Sequence, residues 1–490
     1  MTDQPSMLVG VPLAGVHSHC DCACPDHGLV LAPPPAVGSA AAWTITPDLY
    51  RDQLPGAAEL AFLPTGDGRV VVLNQAATAA LDSFRQPRPL NVAASPFSEI
   101  ANRLAAHRLI SPVGASTSLL SEPPTTLSAW LHVTNACNLR CSYCYVATDA
   151  EAMELATGQA AVEAVLRSAT RGGFRAVQLK YAGGEASLNF ALVRALHTYA
   201  AKQVRQHQLA LSEVLLSNGV ALTEAMLAFL RDEGIGLSLS LDGLGESHDQ
   251  QRPFTNGHGS AKHVIRTVER AIAVGLAPVL SITVTAGNAH TLADVVKFAI
   301  EHDLRFNFNF YRNFTGHDPH GVGQAADERM IAGLRAALAR MAEQPPQRRL
   351  IDGLLDRSSF SQAHHYACGM GRAYLAITQR GGVAPCQMLL HQPVTEVHDP
   401  DPLNTLKLHP RVAHNLTVDE KEACAKCTWR YACAGGCPLL TVHSATCGGR
   451  SPYCEVYNAL YPELLRLEGL RIIRWAPHAA LSAHGIERWV

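Results

Sequence analysis

The segment Asn135–Val146, NACNLRCSYCYV, places Cys137, Cys141 and Cys144 in a C-x3-C-x2-C spacing. Thiolates are soft ligands that favour zinc or iron–sulfur clusters. A closed zinc site takes four ligands, and the nearest histidine, His132, lies on the apolar run before the loop. Three thiolates on a four-iron cube would instead leave one iron free for a small molecule. The loop therefore reads as a place for chemistry.

Other polar groups follow it at intervals. Gly183, Gly184 and Glu185 precede Ala186; Ser217, Asn218 and Gly219 stand together; Ser240 and Asp242 lie in SLSLDG; and His248, Asp249 and Arg252 lie in ESHDQQRPFTNGHGS. Alone, each could be a turn or a satisfied polar residue. Each group, however, ends or follows a strand-like apolar run. The runs AWLHVT, AVQLKYAGG, EVLLSNG, GLSLSLDG, PVLSITVT and RFNFNFY read as six strands, the first five each followed by a helical stretch such as GQAAVEAVLRSATR or AKHVIRTVERAIAVG. That alternation implies an α/β fold with a parallel sheet, and in an α/β barrel ligands sit at the C-terminal ends of the strands.

After about Pro345 the pattern breaks and cysteines return. Cys368, Gly381 and Cys386 are spaced C-x12-G-x4-C; Cys424, Cys427, Cys433 and Cys437 follow as C-x2-C-x5-C-x3-C, then Cys447 and Cys454. Four thiolates at such spacing also suit structural zinc. Near the N-terminus, Cys20, Cys22 and Cys24 alternate, flanked by His17, His19 and His27, ahead of a Pro- and Ala-rich linker. They read either as a metal contact or as reactive thiols on a terminal tail. Between tail and barrel, AELAFLP and GRVVVLN read as strands around a TGDG turn, and QAATAALDSF and FSEIANRLAAHRLI as amphipathic helices.

Bulk composition narrows the partners. Of 490 residues 47% are apolar, the formal net charge is -2, and no polybasic run occurs. A nucleic-acid partner and a membrane surface are not expected. No stretch is long enough to span a bilayer, and the N-terminus lacks a basic n-region, so a cytoplasmic protein is expected. In that compartment 14 cysteines read as metal ligands rather than disulfides.

Residues 128–312 resemble the radical S-adenosylmethionine (SAM) superfamily. The resemblance implies that Cys137, Cys141 and Cys144 hold a [4Fe-4S] cluster whose free iron chelates SAM. It sets Tyr143 against the adenine, Gly183, Gly184 and Glu185 at the SAM ammonium, and Ser217 and Asn218 at the matching strand end. Ser240 and Asp242 would bind the ribose hydroxyls, and Arg252 would pair with the SAM carboxylate. Ala186 stands where the family has proline. The later cysteines resemble the SPASM pattern of radical SAM enzymes that act on peptides and proteins. By that analogy Cys424, Cys427, Cys433 and Cys454 hold one auxiliary [4Fe-4S] cluster, with Cys447 the alternative to Cys454. Cys368, Cys386 and Cys437 hold a second, which lacks a fourth thiolate. Residues 43–113 resemble the RiPP recognition element, in which three strands precede three helices and a leader peptide adds as a further strand.

The architecture implied is a partial (β/α)6 TIM barrel over residues 125–345. It is flanked by a tail at 1–42, a small winged-helix-like α+β recognition domain at 43–118 and a SPASM domain at 360–475. The activity implied is reductive cleavage of SAM, with an external reductant such as flavodoxin or ferredoxin, to a 5′-deoxyadenosyl radical. That radical takes hydrogen from a ribosomally made precursor peptide, leading to an oxidative cross-link (thioether or carbon-linked). Two other readings stand beside it. One is a formylglycine-forming sulfatase maturase, in which an aspartate follows the cysteine aligned with Cys386; here that residue is Gln387. The other is a non-catalytic iron–sulfur or zinc protein. No side chain is assigned as catalytic base, and Tyr374, Gln387 and His391 are read as structural.

Overall fold

The structure is a computed structural model and describes residues 5–12, 29–31, 41–90, 96–115, 119–312, 324–410, 412, 415–443, 449–476 and 486–489. Cys20, Cys22, Cys24, their flanking histidines and Cys447 lie outside these residues.

Six parallel strands form the central sheet: β1 (Thr126–Thr134), β2 (Ala176–Gly183), β3 (Ala210–Ser217), β4 (Gly236–Ser240), β5 (Val279–Val284) and β6 (Arg305–Phe310), adjacent in that order. Helices α1 (Leu155–Arg171), α2 (Phe190–Gln206) and α3 (Glu224–Asp232) follow the first three strands. A short α4 (Glu246–Gln251) and α5 (Ala261–Ala273) follow β4, α6 (Leu292–Glu301) follows β5, and α7 (Gln324–Glu343) follows β6. The mostly parallel α/β sheet matches the partial barrel expected, with a helix after the sixth strand as well. Parallel strands are covered on both faces, and Leu127, Ala129, Leu131 and Val133 of β1 are accordingly buried. The helices bury one stripe each: α5 turns Val264, Val268 and Ala271 to the core at helical spacing.

The segment after the barrel extends its sheet. β7 (Tyr374–Ile377) pairs in parallel with the outer edge of β1, Ser128 opposite Tyr374, and β8 (Gly382–Ala384) and β9 (Thr395–Glu396) continue antiparallel. Main-chain hydrogen bonds therefore join the cysteine-rich segment to the strand that carries the first cysteine loop. These strands hold four, three and two residues, too short to leave a periodic signal.

A second core lies near the N-terminus. Strands Tyr50–Leu54, Ala58–Phe62 and Val70–Leu73 form an antiparallel meander, followed by helices Gln75–Asp82 and Pro96–Ala106. Trp43, Ala61, Val71, Leu81, Phe84 and Leu104 pack together there. Two chain ends complete the sheet: Met7–Gly10 pairs with Val70–Leu73, and Ile486–Trp489 pairs with Met7–Gly10, all antiparallel. Met7 and Val9 are fully buried, so part of the segment read as a tail belongs to this core. The long helix α8 (Cys454–Trp475) packs on α7 and on this sheet. There Arg471 donates through Nε to Glu468 at 2.7 Å, and Arg349 donates through Nη2 to the Gly68 carbonyl at 2.8 Å. Among the described residues no helix is long and apolar enough to cross a membrane.

Candidate active site

The cysteine loop leaves β1 at the C-terminal end of the sheet and is held by main-chain bonds on two sides. Gly184 N–H donates to the Thr134 carbonyl and Glu185 N–H to the Ala136 carbonyl, both at 2.8 Å. From the other side Arg140 N–H donates to Pro253 at 2.8 Å and Ser142 N–H to Gln251 at 2.9 Å. The two glycines after β2 are fixed by this packing. A Cβ on Gly183 would lie 2.3 Å from the Thr134 carbonyl oxygen, and one on Gly184 2.5 Å from that of Asn135. Both obstacles are backbone, so a side chain here displaces the loop itself. Gly184→Ala is expected to lower iron retention and to cost about 1–3 kcal/mol of stability, checked by iron assay and urea unfolding.

The strand ends surround a cavity of about 470 Å³. Its wall includes Cys137, Cys141, Tyr143 and Cys144 from the loop, Gly183, Gly184 and Glu185 after β2, Ser217 and Asn218 at β3, Ser240 at β4, and Arg252. Eleven of the twelve residues expected around the first cluster and SAM thus share one cavity.

The twelfth, Asp242, stands behind the wall. It is fully buried, and its Oδ2 accepts from Arg252 Nε at 2.7 Å, from Gln251 Nε2 at 3.2 Å and from the Tyr143 hydroxyl. Oδ1 accepts from Thr283 N–H at 2.8 Å. Asp242 therefore positions two wall residues, and the Arg252 guanidinium lies 5.2 Å from the Tyr143 ring centroid.

Glu185 is also held. Its Oε1 accepts from Ser217 Oγ at 2.7 Å and Ser187 N–H at 3.0 Å, and its Oε2 from Asn218 N–H at 2.7 Å. A carboxylate offers about four lone-pair sites, so one remains for a donor in the cavity. Asn218 Nδ2 donates to Asn138 Oδ1 at 2.8 Å, tying β3 to the loop.

His248 braces the far side. Its Nδ1 accepts from Asp242 N–H at 3.2 Å and its Nε2 meets Ser260 Oγ at 3.0 Å, which fits a neutral ring. Burial lowers its pKa from 6.5 to about 4, and burial does the same to His364. A neutral buried histidine must take a proton on unfolding below the unfolded pKa. Stability is therefore complete above pH 6.5 and falls as pH drops toward about 4. Each of the two is expected to contribute up to about 3 kcal/mol to that loss, read from urea midpoints at successive pH values.

The three loop thiols suit a cluster. Burial pushes Cys141 up to about 12, against the opposing Arg252 charge, and burial raises Cys137 as well. Metal binding would displace those protons. Among the described residues no three Cys, His, Asp or Glu side chains converge as one bound ion would require. A four-iron cube takes each thiolate on a separate iron, so this donor set needs no such convergence.

The C-terminal thiols fall into two groups. Burial pushes Cys433 up to about 12, and Cys427, Cys424 and Cys454 push the same way. Burial likewise pushes Cys386 up to about 12, helped by Cys437 and Cys368. Cys433 thus lies within electrostatic reach of Cys424, Cys427 and Cys454, and Cys386 of Cys437 and Cys368, the same sets that the SPASM resemblance implies. Between Cys433 and Cys437 the backbone turns left-handed at Ala434, Gly435 and Gly436, with φ 44, 77 and 75°. That turn sends two nearby thiols to different groups. Gln387 and Met388, next to Cys386, reach the wall of the main cavity, and Gln387 Oε1 accepts from the Tyr374 hydroxyl at 2.8 Å.

The cavity wall also holds Trp130, Arg140, Thr283, Asn309, Tyr311 and Arg312, which the sequence reading did not single out. Asn309 was within reach of it. In RFNFNF the phenylalanines and asparagines alternate, and Asn309 faces inward to donate to Ser281 Oγ at 2.9 Å.

Comparison with known proteins agrees with this geometry. Residues 131–299 match the Radical SAM superfamily. The chain is 26% identical over 187 residues to the sporulation killing factor maturation protein SkfB of Bacillus subtilis (strain 168), a match covering 38% of this chain and 42% of that one. It thus spans under half the length of that relative. The fold is similar to native anSMEcpe with bound AdoMet, with a TM-score of 0.57 and 19% identity over 72% of this chain and 99% of the other. It is also similar to native anSMEcpe with bound AdoMet and Cp18Cys peptide, with a TM-score of 0.56 and 21% identity over the same shares. Residues 131–299 thus form a radical SAM domain, which implies SAM and a four-iron cluster as cofactors.

Proposed function

We propose that this chain is a radical SAM maturase that modifies a ribosomally made precursor peptide by oxidative cross-linking. The supporting observation is the reach of the main cavity. It runs from the three-thiol loop to Gln387 and Met388, which border the Cys368, Cys386 and Cys437 group. A peptide residue lying in it would touch the SAM side and, through Gln387 and Met388, the neighbourhood of Cys386 at once.

Bound SAM and its cluster would supply a hydrogen-abstracting radical, and the C-terminal thiols would hold two auxiliary clusters. The chain's own residues do the positioning. Glu185 would offer its remaining lone pair to the SAM ammonium, and Arg252, held by Asp242, would pair with the SAM carboxylate. Tyr143 would take the adenine and Ser240 the ribose. The peptide leader would add as a strand to the N-terminal sheet. SkfB, whose name makes it a maturation protein, is in keeping with such a substrate. Formylglycine formation fits less well, because the position after Cys386 holds Gln387, whose oxygen is engaged by Tyr374.

The test is anaerobic coexpression with short reading frames beside the gene, followed by mass spectrometry of the peptides. Loss of two hydrogens per modified site is expected, with fragment ions that show two residues joined, since serine oxidised to formylglycine would lose two hydrogens with no residues joined. Loss of hydrogen sulfide with gain of oxygen would instead mean formylglycine. For leader recognition, removing residues 1–118 is expected to weaken leader binding at least about tenfold. Unchanged affinity by fluorescence anisotropy would place the leader elsewhere.

A further inference from the structure

Lys421 is a buried cation whose surroundings are thiols. Its residue is 5% exposed, and its Nζ donates to the Ala434 carbonyl at 2.7 Å. The neighbouring carboxylates are turned elsewhere. Asp419 accepts from Tyr431 at 2.9 Å and pairs with His365 at 2.9 Å, Glu420 accepts from Thr417 N–H at 2.8 Å, and Glu422 is exposed. Among the described residues Lys421 forms no ion pair with a carboxylate. Its carbonyl accepts from Cys424 N–H at 2.8 Å, and its Nζ is bound to the turn that joins Cys433 of one C-terminal thiol group to Cys437 of the other.

A buried ammonium without a counter-charge is costly. With the thiols of those groups protonated, Lys421 has only one carbonyl to compensate it. With the thiols ionised and bound to iron, it lies between two negative groups. The local backbone is shaped to admit it. The left-handed turn at Ala434–Gly436 aims the Ala434 carbonyl at Nζ, and a Cβ on Gly435 would lie 2.9 Å from Nζ and 3.3 Å from Cys424 Sγ. Other cations act on one group each: the exposed Arg450 on Cys424 and Cys454, and Arg357 on Cys386.

We propose that Lys421 is the shared internal counter-ion of the two C-terminal cluster sites and holds both clusters at a higher reduction potential than their thiolates alone would give. Reducing a cluster by one electron adds one negative charge, and a fixed positive charge beside it favours the reduced form. Lys421 is a positioning residue in this role and touches no substrate. The inference rests on the auxiliary-cluster reading of the proposed function.

The experiment uses full-length protein, anaerobically reconstituted, as wild type, Lys421→Met and Lys421→Arg. Iron and acid-labile sulfide are counted, and cluster potentials are followed by EPR during dithionite titration. Wild type is expected to hold about twelve irons, as three four-iron clusters. In Lys421→Met the auxiliary potentials should move to more negative values with iron retained and the SAM-cluster potential unmoved, and Lys421→Arg should return them toward wild type. Retained iron with unmoved auxiliary potentials would overturn the proposal. Should Lys421→Met lose the auxiliary iron, recovery of that iron in Lys421→Arg upholds a charge requirement, and failure to recover it overturns one. About four irons in wild type would remove the auxiliary clusters, and the proposal with them.

Discussion

Replacing Cys141 by alanine is expected to end SAM cleavage while leaving the C-terminal iron in place. Cys141 is one of three thiols on the loop, and its neighbours offer no substitute: Arg252 Nη1 points at it from 3.9 Å, and Asp242 is already engaged. Loss of a partner that merely supports a metal ligand costs about 10–100-fold, and loss of a ligand itself should cost more. Iron should fall from about twelve to about eight per chain, and 5′-deoxyadenosine formation should fall to background. The stability cost is expected to be small, because the change removes a single sulfur atom and alanine fits its place. The contrast matters: a variant that loses activity but unfolds at the wild-type urea midpoint has lost its cluster rather than its fold.

Asp242→Ala should act in the opposite way, through the fold first. Its carboxylate is the counter-charge of Arg252, whose side chain is 10% exposed, and it also takes the Tyr143 hydroxyl and the Thr283 N–H. Removing it leaves a buried guanidinium unpaired, which typically costs about 3–5 kcal/mol. Tyr143 and Arg252 would lose their fixed positions, so SAM affinity should fall by at least about tenfold as well. Urea unfolding and isothermal titration with SAM measure the two effects. A direct ribose contact alone, the role expected from sequence, would weaken SAM binding without moving the unfolding midpoint.

That difference shows where sequence reading reaches and where it stops. The cysteine loop, the Gly183–Glu185 turn, Ser217–Asn218 and Ser240 were legible because each ends or follows a strand-like run, and parallel strands deliver their C-terminal ends to one rim, which Arg252 reaches from the end of α4. The orientation of Asp242 was not. The string SLSLDG says that an acid follows the strand, but the choice between cavity and wall is made by Arg252 and Thr283, 10 and 41 residues away. The glycines were set at the SAM ammonium by resemblance, and the structure adds that contact with Thr134 and Asn135 leaves no room for a side chain there. The short strands β7 to β9 carried no period to detect, and Met7–Gly10 is a strand only because Val70–Leu73 and Ile486–Trp489 flank it. The two thiol groups were implied by resemblance alone, and the turn that lies between Cys433 and Cys437 needed the backbone angles of Ala434, Gly435 and Gly436. Lys421 had no signal at all. One lysine among charged neighbours in VDEKEAC reads as surface, and only the placement of Asp419, Glu420 and Glu422 reveals it as buried and alone.

The most direct test of the central claim is 5′-deoxyadenosine release by the anaerobically reconstituted protein given SAM and dithionite, quantified by liquid chromatography and mass spectrometry. The account predicts release by wild type and none above background by a Cys137→Ala, Cys141→Ala, Cys144→Ala triple variant that retains its C-terminal iron. Wild-type protein with a full complement of iron that binds SAM and releases no more 5′-deoxyadenosine than the triple variant would contradict it.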